Sequence, residues 1–373
     1  MRVIIAKHRE SPYWTLAPAE RTYSLTKVGI IANPAASKDI RRLVAQGRVI
    51  PDWEKVNIVR RALLGLQAVG IGEVIAMPDG SHLCRRARDD SQLSLDLSLL
   101  QMPTYHTEGD TIRAASMMEQ SGVNCIITLG GDGTNRAVAC GTCALPIVPI
   151  STGTNNVFPQ MIEGTLAGLA AGVIASGQLP SHWASVVSKT LAVFVDGEFR
   201  DMALIDVAFS RERYVATRAI WDLSTLYEVF LTRCEPSSIG LSSVGARLEV
   251  VNSSDVGGLR YVLGDNEQGS QGVEGGIYGP AATGNPGASS TQVLAPIAPG
   301  IVADVPIAGW ERLAEGRRIA VESRHSSVAL DGERAFTVTP RQRVEVSIQR
   351  NGPPVVQVDR ALQMAAERGL FRK

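Results

Sequence analysis

Apolar residues in the first 160 positions form continuous runs separated by stretches with helical spacing. The runs at residues 27–33 ("KVGIIAN") and 123–131 ("VNCIITLGG") are typical of buried parallel strands. The segment between them includes a helical pattern whose start carries Thr107 and Asp110 at capping-box spacing. This alternation of strands and helices predicts an α/β, Rossmann-like domain with a mainly parallel sheet over residues 26–160.

Beyond residue 185 the pattern changes to short runs with β character, separated by turn residues. Examples are "LAVFVDGEF" at residues 191–199 and "RVEVSIQ" at residues 343–349. These runs predict a β-rich, β-sandwich-like second domain over residues 185–352. Residues 257–290 are dense in Gly, Ser and Asn and predict a long loop, whereas residues 356–373 predict a helix that packs back on the first domain.

Charge and composition narrow the classes of partner. The 373 residues include 37 Lys and Arg and 37 Asp and Glu, so no basic excess recruits nucleic acid, and we expect none as a partner. The longest apolar stretch, residues 165–175, is shorter than the ~20 residues that cross a bilayer, so we expect no membrane span. Five sparse cysteines do not form a disulfide framework and favour a cytoplasmic protein. We also expect a homo-oligomer.

A cluster of glycines follows the second of the two buried runs. Gly130, Gly131 and Gly133 would let the backbone approach a phosphate without an intervening Cβ, and the hydroxyl of Thr134 adds a donor. The amide groups at the start of the following helix bind anions well. Asp132 in this turn is suited to activate an attacking hydroxyl as a base, or to face the phosphate through Mg²⁺. The alternative is a tight turn in which Asp132 caps the helix.

The segments "VGIIANPAASKD" and "TLGGDGT" resemble the superfamily of NAD kinases and diacylglycerol kinases. With "ISTGTNNVFP" included, the sequence is similar to the ATP-NAD kinase-like proteins of the acetoin-catabolism X family, from about residue 26 to the end of the chain. The resemblance implies a catalytic site between an α/β domain and a β-rich domain. It also implies ATP and Mg²⁺ as cofactors and Asp132 as the catalytic residue.

Residues at the end of the first strand are candidates to hold a nucleotide phosphate. Asn33, Ser37 and Lys38 lie at a predicted helix start, where Lys38 would act as a point charge. The alternative is that Ser37 is an N-cap and Lys38 is solvated.

A second polar turn follows the next predicted strand. Gly153, Thr154, Asn155 and Asn156 resemble the G-T-x-N-D pattern of lipid kinases, and asparagine amides can bond a ribose or a phosphate. Val157 stands where that pattern has an acid, which weakens a lipid-kinase interpretation. An asparagine-rich turn without a ligand is the alternative.

The second domain supplies candidates for substrate binding. "ALIDVAF" at residues 203–209 resembles the A-L-N-E-V segment of NAD kinases and makes Asp206 such a candidate, but Ile205 replaces the asparagine of that pattern. Losing that amide would leave a polar atom of a dinucleotide unpaired, at a cost of about 1–3 kcal/mol. Tyr278, in the glycine-rich loop, is a weaker candidate.

Asp331 and Glu333 lie in a segment that resembles the D-G-E segment of the superfamily. By that resemblance they would bind Mg²⁺, and Asp331 would alternatively assist deprotonation near Asp132. A simple Asp-Gly turn between strands is the alternative.

The sequence therefore predicts a nucleotide-dependent small-molecule kinase that transfers a phosphoryl group from ATP to a hydroxyl, with NAD as the first candidate acceptor. A nucleotide-binding sensor that has lost catalysis is an alternative from another class, because positions 157 and 205 are polar in the relatives. A lipid or diol kinase is a further alternative.

Overall fold

The computed structural model describes the chain over residues 26–36, 45–89, 92–153, 155–212, 222–264 and 291–372. Within these ranges, strands and helices alternate in the first half of the chain, as the apolar pattern predicts. In chain order they are β1 (Lys27–Ala32), α1 (Asp52–Ala68), β2 (Glu73–Ala76), α2 (Leu83–Arg88), β3 (Asp96–Leu99), α3 (Glu108–Gln120), β4 (Val123–Gly130), α4 (Asp132–Gly141), β5 (Ile147–Ser151), α5 (Gly164–Ala175), α6 (Ser181–Ala184) and β6 (Ser185–Val187).

A parallel sheet in the order β3-β2-β1-β4-β5 forms the centre of the first unit. Helices cover both faces of this sheet, and successive side chains of β1 point to opposite faces. Val28 and Ile30, both fully buried, pack with α1 and α5 on one face. Ile31, also fully buried, packs with α3 and α4 on the other face. The continuous apolar run of β1 is thus the signature of a strand buried on both sides, and the Rossmann-like prediction is confirmed.

Glycines bring α1 and α5 into close contact. A Cβ on Gly168 would lie 2.1 Å from the carbonyl oxygen of Ala62, and a Cβ on Gly164 would lie 2.5 Å from that of Ile58. Since no side chain fits at these distances, the two helix backbones can approach this closely only with glycine at the contact.

Antiparallel strands dominate the second half of the chain. In chain order its elements are β7 (Thr190–Val195), β8 (Glu198–Ala203), β9 (Asp206–Ser210), a 3₁₀ turn (Leu223–Thr225), β10 (Leu226–Leu231), α7 (Leu241–Ala246), β11 (Gly258–Leu263), β12 (Thr291–Ala298), β13 (Ile301–Leu313), β14 (Arg318–Ala320), β15 (Ser326–Leu330), β16 (Glu333–Val338), β17 (Val344–Gln349), β18 (Pro354–Val356) and α8 (Val358–Glu367).

Two of the antiparallel sheets pack face to face, in the orders β12-β13-β11-β10-β9-β15-β16 and β14-β17-β7-β8. Val193 and Val346 of the smaller sheet share one buried cluster with Phe209 and Val328 of the larger sheet. This cluster is the core of a β-sandwich, as predicted. The chain then returns to the first unit, where β18 pairs with β5 and β6, and α8 packs against α5.

The predicted loop over residues 257–290 is wrong at its start. Residues 258–263 form β11, which pairs with β10 and β13. Leu259 and Tyr261 of this strand are fully buried in the sandwich, so tertiary burial outweighs the glycines around them. Residues 265–290 lie outside the described residues.

No helix in the described ranges combines the length and the apolar character needed to cross a membrane.

Candidate functional site

A cavity of about 520 Å³ opens beside the carboxyl ends of β1 and β4, against the β15–β16 turn of the second unit. In this sheet, the chain winds in one direction from β1 to β3 and in the other direction from β4 to β5. Ligands of open α/β sheets bind at such a switch point. Ten of the residues predicted from the sequence line the cavity: Asn33, Gly131, Asp132, Gly133, Thr134, Gly153, Asn155, Asn156, Asp331 and Glu333.

The glycine turn joins β4 to α4 at one side of the cavity. A Cβ on Gly130, the last residue of β4, would lie 2.4 Å from Oγ1 of Thr134. A Cβ on Gly131 would lie 2.8 Å from Oδ1 of Asn156. Gly130 has no room for a side chain, and a Cβ on Gly131 would have to displace the amide of Asn156, so the turn favours glycine for packing as well as for close approach to a ligand. Gly133 and Thr134 line the cavity, and the amino-terminal end of α4 therefore faces it.

The carboxylate of Asp132 reaches the loop that follows β5. It accepts the N–H of Phe158 at 2.8 Å and the N–H of Val157 at 3.1 Å. Asp132 is the first residue of α4, and Gly131 is the N-cap. These bonds therefore connect the helix to the neighbouring loop and do not cap it. They hold the half-buried carboxylate in one orientation at the cavity wall, which favours a positioned acid over a helix cap.

Asp331 lies in the two-residue turn between β15 and β16. Asp331 and Gly332 have φ values of 50° and 76°, as a type I′ hairpin requires. The Asp331 side chain is buried, and its carboxylate accepts the N–H groups of Ile205 at 2.7 Å, Leu204 at 2.9 Å and Asp206 at 3.1 Å. The predicted Asp-Gly turn is thus present, and it also places an acid at the cavity.

The two acids influence each other electrostatically. The pKa of Asp331 is raised to about 7, first by burial and also by the negative charge of Asp132. The hydrogen bonds from Leu204 and Ile205 act in the opposite direction because they favour the ionised form. Asp331 therefore keeps a proton at pH values where an exposed aspartate is ionised.

Glu333 brings a further carboxylate to the glycine turn. Its Oε1 atom lies 3.6 Å from the place where a Cβ on Gly133 would be. Oxygen donors of this kind suit Mg²⁺. Among the described residues, however, no group of three or more His, Cys, Asp or Glu side chains is arranged to hold a metal ion. The metal-binding role of Asp331 and Glu333 stays a prediction.

Asparagine side chains connect the loops around the cavity. Nδ2 of Asn33 donates to Oγ1 of Thr134 at 2.9 Å, and Oδ1 of Asn33 accepts the N–H of Ala35 at 2.8 Å. Nδ2 of Asn156 donates to the hydroxyl of Ser151 at 2.8 Å. The loop after β1 is thereby joined to the start of α4, and the loop after β5 is fixed to the end of its own strand.

Asn155 presents an unsatisfied acceptor at the cavity. Its Oδ1 atom is buried and has no hydrogen-bond partner within the described part of the chain. Since buried polar atoms in native proteins are nearly always hydrogen-bonded, a hydroxyl or amino group of a ligand would supply the missing donor. This is the observation that fits the predicted binding role of Asn155.

Residues that line another part of the cavity were not predicted from the sequence. They include Arg48, Asp79, His106 and Glu108. No catalytic or binding motif contains them, but each lies in a segment that follows β1, β2 or β3, at the carboxyl edge of the parallel sheet. The carboxylate of Asp79 accepts N–H groups at the start of α2, and burial raises its pKa.

Arg136 of α4 connects the two units and was also not predicted. Its Nε atom donates to the carbonyl oxygen of Met202 at 2.7 Å, and its Nη2 atom lies 2.6 Å from Oδ1 of Asp201, both on β8. Nη1 pairs with Glu108 at the start of α3. The guanidinium is nearly buried and the carboxylate of Asp201 is half-buried, so a partly desolvated ion pair holds the helix that follows the glycine turn to the second unit.

Some predicted residues do not reach the cavity. The carboxylate of Asp206 is buried and accepts the N–H of Gly332 at 3.1 Å, so it supports the β15–β16 turn from behind. Gly130 lies behind the glycine turn and is not part of the lining. Ser37, Lys38, Thr154 and Tyr278 lie outside the described residues.

Comparison with known proteins relates the two halves of the chain to two families. Residues 28–178 match the ATP-NAD kinase N-terminal domain, and residues 189–351 match the acetoin catabolism protein X C-terminal domain. Over 357 residues the chain is 39% identical to acetoin catabolism protein X of Cupriavidus necator, which covers 92% of this chain and 94% of that protein. Among solved structures, a diacylglycerol kinase from Bacillus anthracis str. Sterne has 14% identity and a TM-score of 0.43, covering 89% of this chain and 96% of that chain.

Proposed function

Because the chain belongs to the family of acetoin catabolism protein X and its first half is NAD kinase-like, we propose that it is a nucleotide-dependent small-molecule kinase. It transfers the terminal phosphoryl group of ATP to a hydroxyl group of an acceptor. The observation that carries this proposal is the position of Asp132, which lies beside the glycine turn in a cavity between the two units. Amide donors for a phosphate and a positioned carboxylate for a hydroxyl lie in one place, as phosphoryl transfer requires.

The amino-terminal end of α4 is the proposed site for the phosphates of the nucleotide. The amides of Gly131 and Gly133 and the hydroxyl of Thr134 offer donors to an anion. Asn33, bonded to Thr134, keeps the loop after β1 beside them. The unsatisfied acceptor of Asn155 fits a hydroxyl or amino group of the same ligand. Gly153 and Asn156 line the same cavity. Ser37 and Lys38 are assigned to nucleotide binding from their place at a predicted helix start, and Thr154 is assigned from the resemblance.

A divalent cation that enters with the nucleotide is part of this proposal. Mg²⁺ in proteins is commonly held by one or two carboxylates together with phosphate oxygens and water, so a set of three protein ligands is not needed. Glu333, beside the glycine turn, and Asp331 are the residues that would hold it. When bound, Mg²⁺ neutralises charge on the transferred phosphoryl group.

Asp132 is the proposed general base. The amides of Val157 and Phe158 fix its carboxylate at the cavity wall. From there it accepts the proton of the acceptor hydroxyl while that oxygen bonds to phosphorus, and ADP leaves. Arg136 keeps α4 in register with the second unit during this step.

NAD is the first acceptor to test because the first half of the chain matches the ATP-NAD kinase family. Purified protein with ATP, Mg²⁺ and NAD is expected to form NADP, which a coupled dehydrogenase assay detects. A panel of other dinucleotides, sugars, diols and lipids is tested in parallel by ADP release. No turnover with any acceptor contradicts the enzyme assignment.

The second candidate function is a nucleotide sensor without catalysis. Val157 and Ile205, which are polar in the relatives' patterns, are buried in one apolar core. Tight nucleotide binding by calorimetry, without turnover and unchanged in Asp132→Asn, supports the sensor. Measurable kinase activity eliminates it.

We also propose a cytoplasmic location and a homo-oligomeric state. The five cysteines are free in the structure, which is in keeping with a reducing compartment. Light scattering of the purified protein tests the oligomeric state, and a mass equal to that of one chain contradicts it.

A further inference from the structure

Lys55 is a fully buried lysine near the start of α1. Two physical effects disfavour a cation at this position. Removing an ammonium group from water is costly, and the amino-terminal end of a helix carries partial positive charge. Strong compensating interactions must therefore hold Lys55 there.

Three of these interactions come from the loop that follows β1. The ammonium group of Lys55 donates to the carbonyl oxygens of Pro34 and Ala36 at 2.9 Å each, and to that of Asn33 at 3.3 Å. Three carbonyl oxygens of one short loop thus converge on a single ammonium group, which has N–H donors to offer to each of them. The loop at residues 33–36 lines the large cavity, whereas Lys55 lies behind it.

This arrangement has two consequences for an anion in the cavity. The carbonyl oxygens of the loop point towards buried Lys55, so their partial negative charges are turned away from the cavity. The positive charge of Lys55 lies directly behind the loop, in a poorly hydrated environment that screens its field weakly. Both effects make this wall of the cavity more favourable for phosphate.

We propose that Lys55 is a positioning residue for the nucleotide phosphates, acting through the loop at residues 33–36. The inference rests on the proposed kinase function, because that function supplies the phosphate ligand. Lys55 does not contact the ligand. It fixes the backbone that does, and its charge adds to the attraction.

The chain contains a matched control. Lys189 is also nearly buried, and its ammonium group donates to the carbonyl oxygens of Asn252, Asp255 and Gly257 at 2.8–3.0 Å. Its loop belongs to the second unit and does not line the large cavity. Lys55 and Lys189 thus both hold a loop by donating to its backbone carbonyls, but only the loop held by Lys55 lines the proposed phosphate site.

Isothermal titration with ADP and Mg²⁺, on the wild type, Lys55→Met and Lys189→Met, tests the inference. Lys55→Met is expected to raise the Kd for ADP about tenfold, while Lys189→Met leaves it within about twofold. With an active acceptor, Lys55→Met should also raise the KM for ATP more than it lowers kcat, a difference that general destabilisation does not produce.

A folded Lys55→Met that binds ADP as tightly as the wild type overturns the inference and leaves the kinase proposal intact. If Lys55→Met does not fold, the pair Lys55→Arg and Lys189→Arg replaces it, because the planar guanidinium cannot match three converging carbonyls. A higher Kd in Lys55→Arg than in Lys189→Arg then supports the inference, and equal values overturn it. A wild type that binds no nucleotide removes the kinase proposal itself, together with this inference.

Discussion

The Oδ1 atom of Asp331 accepts the backbone N–H of Ile205 at 2.7 Å. Position 205 therefore contributes to the site through its backbone, while its side chain is fully buried in the core of the first unit. Val157 behaves in the same way, since its N–H bonds Asp132 and its side chain packs in the same cluster. At both positions the backbone N–H group holds the carboxylate, so the side chain can be apolar.

Ile205→Asn is expected to lower the free energy of unfolding by roughly 2 kcal/mol, because a buried amide would lack partners. Ile205→Val is the control and should cost about 0.5–1.5 kcal/mol through a lost methylene alone. Urea denaturation of the three proteins measures both changes. An Ile205→Asn protein as stable as Ile205→Val would show that the side chain has polar partners or reaches water.

Two glycine substitutions distinguish an effect on catalysis from an effect on the stability of the fold. Gly130→Ala should lower kcat about 100-fold, because a Cβ there lies 2.4 Å from Thr134 Oγ1 and must displace the phosphate turn. Gly168→Ala should cost about 1–3 kcal/mol of stability through the α1–α5 contact. Its turnover per folded molecule should equal that of the wild type. Equal activity of Gly130→Ala and Gly168→Ala would argue against a role for the turn in catalysis.

The fold was largely predictable because its elements carry local signals. The apolar runs of β1 and β4 report burial on both faces, and the expected capping box is present, with the N–H of Thr107 donating to Asp110. β11 was missed because its neighbouring glycines and serines dominate the local composition. What makes it a strand is pairing with β10 and β13, and pairing leaves no trace in a short window of sequence.

The site was predictable where its residues form motifs and not where they depend on distant partners. The glycine turn was identified from its glycines directly after a buried apolar run, and the Asp-Gly turn was identified from its resemblance to the D-G-E segment of the superfamily. Arg136 was not, since its partner Asp201 lies in another unit. Lys55 was missed for a different reason: its ammonium group donates to backbone carbonyls of the loop after β1, and no pattern of side chains records such bonds.

Arg136→Met is expected to destabilise the protein by about 2–3 kcal/mol, because it removes the cation from the half-buried carboxylate of Asp201 and the donor from the carbonyl oxygen of Met202. Arg312→Met, which removes the partner of Glu249 in an ion pair whose side chains are 38% and 37% exposed, should cost no more than about 1 kcal/mol. Urea denaturation at neutral pH compares the two. Similar losses would mean that the link between the two units contributes little to stability.

Asp331 should make stability depend on pH. Its pKa is raised from 3.8 to about 7 in the folded protein, so between these values the native state binds more protons than the unfolded state. The free energy of unfolding contributed by this group therefore falls as the pH rises from about 4 to about 7. The stability of the wild type relative to Asp331→Asn should fall over the same range.

Urea denaturation of the wild type and Asp331→Asn across that pH range measures this difference. Asp196→Asn is the matched control, because Asp196 lies in an exposed Asp-Gly turn with φ of 54°. The Asp196→Asn variant shows how replacing Asp by Asn changes the stability when the Asp-Gly turn does not line the cavity. A difference between the wild type and Asp331→Asn that is constant with pH would contradict the raised pKa.

The most direct test of the account is acceptor-dependent ADP release by the wild type, Asp132→Asn and Asp196→Asn, with ATP, Mg²⁺ and whichever acceptor the panel identifies. If Asp132 is the general base, Asp132→Asn loses about 100-fold or more in kcat, while Asp196→Asn, at a residue that does not line the cavity, matches the wild type. Since the amides of Val157 and Phe158 hold the side chain in place, circular dichroism should show both variants folded. A folded Asp132→Asn with wild-type kcat would contradict the account.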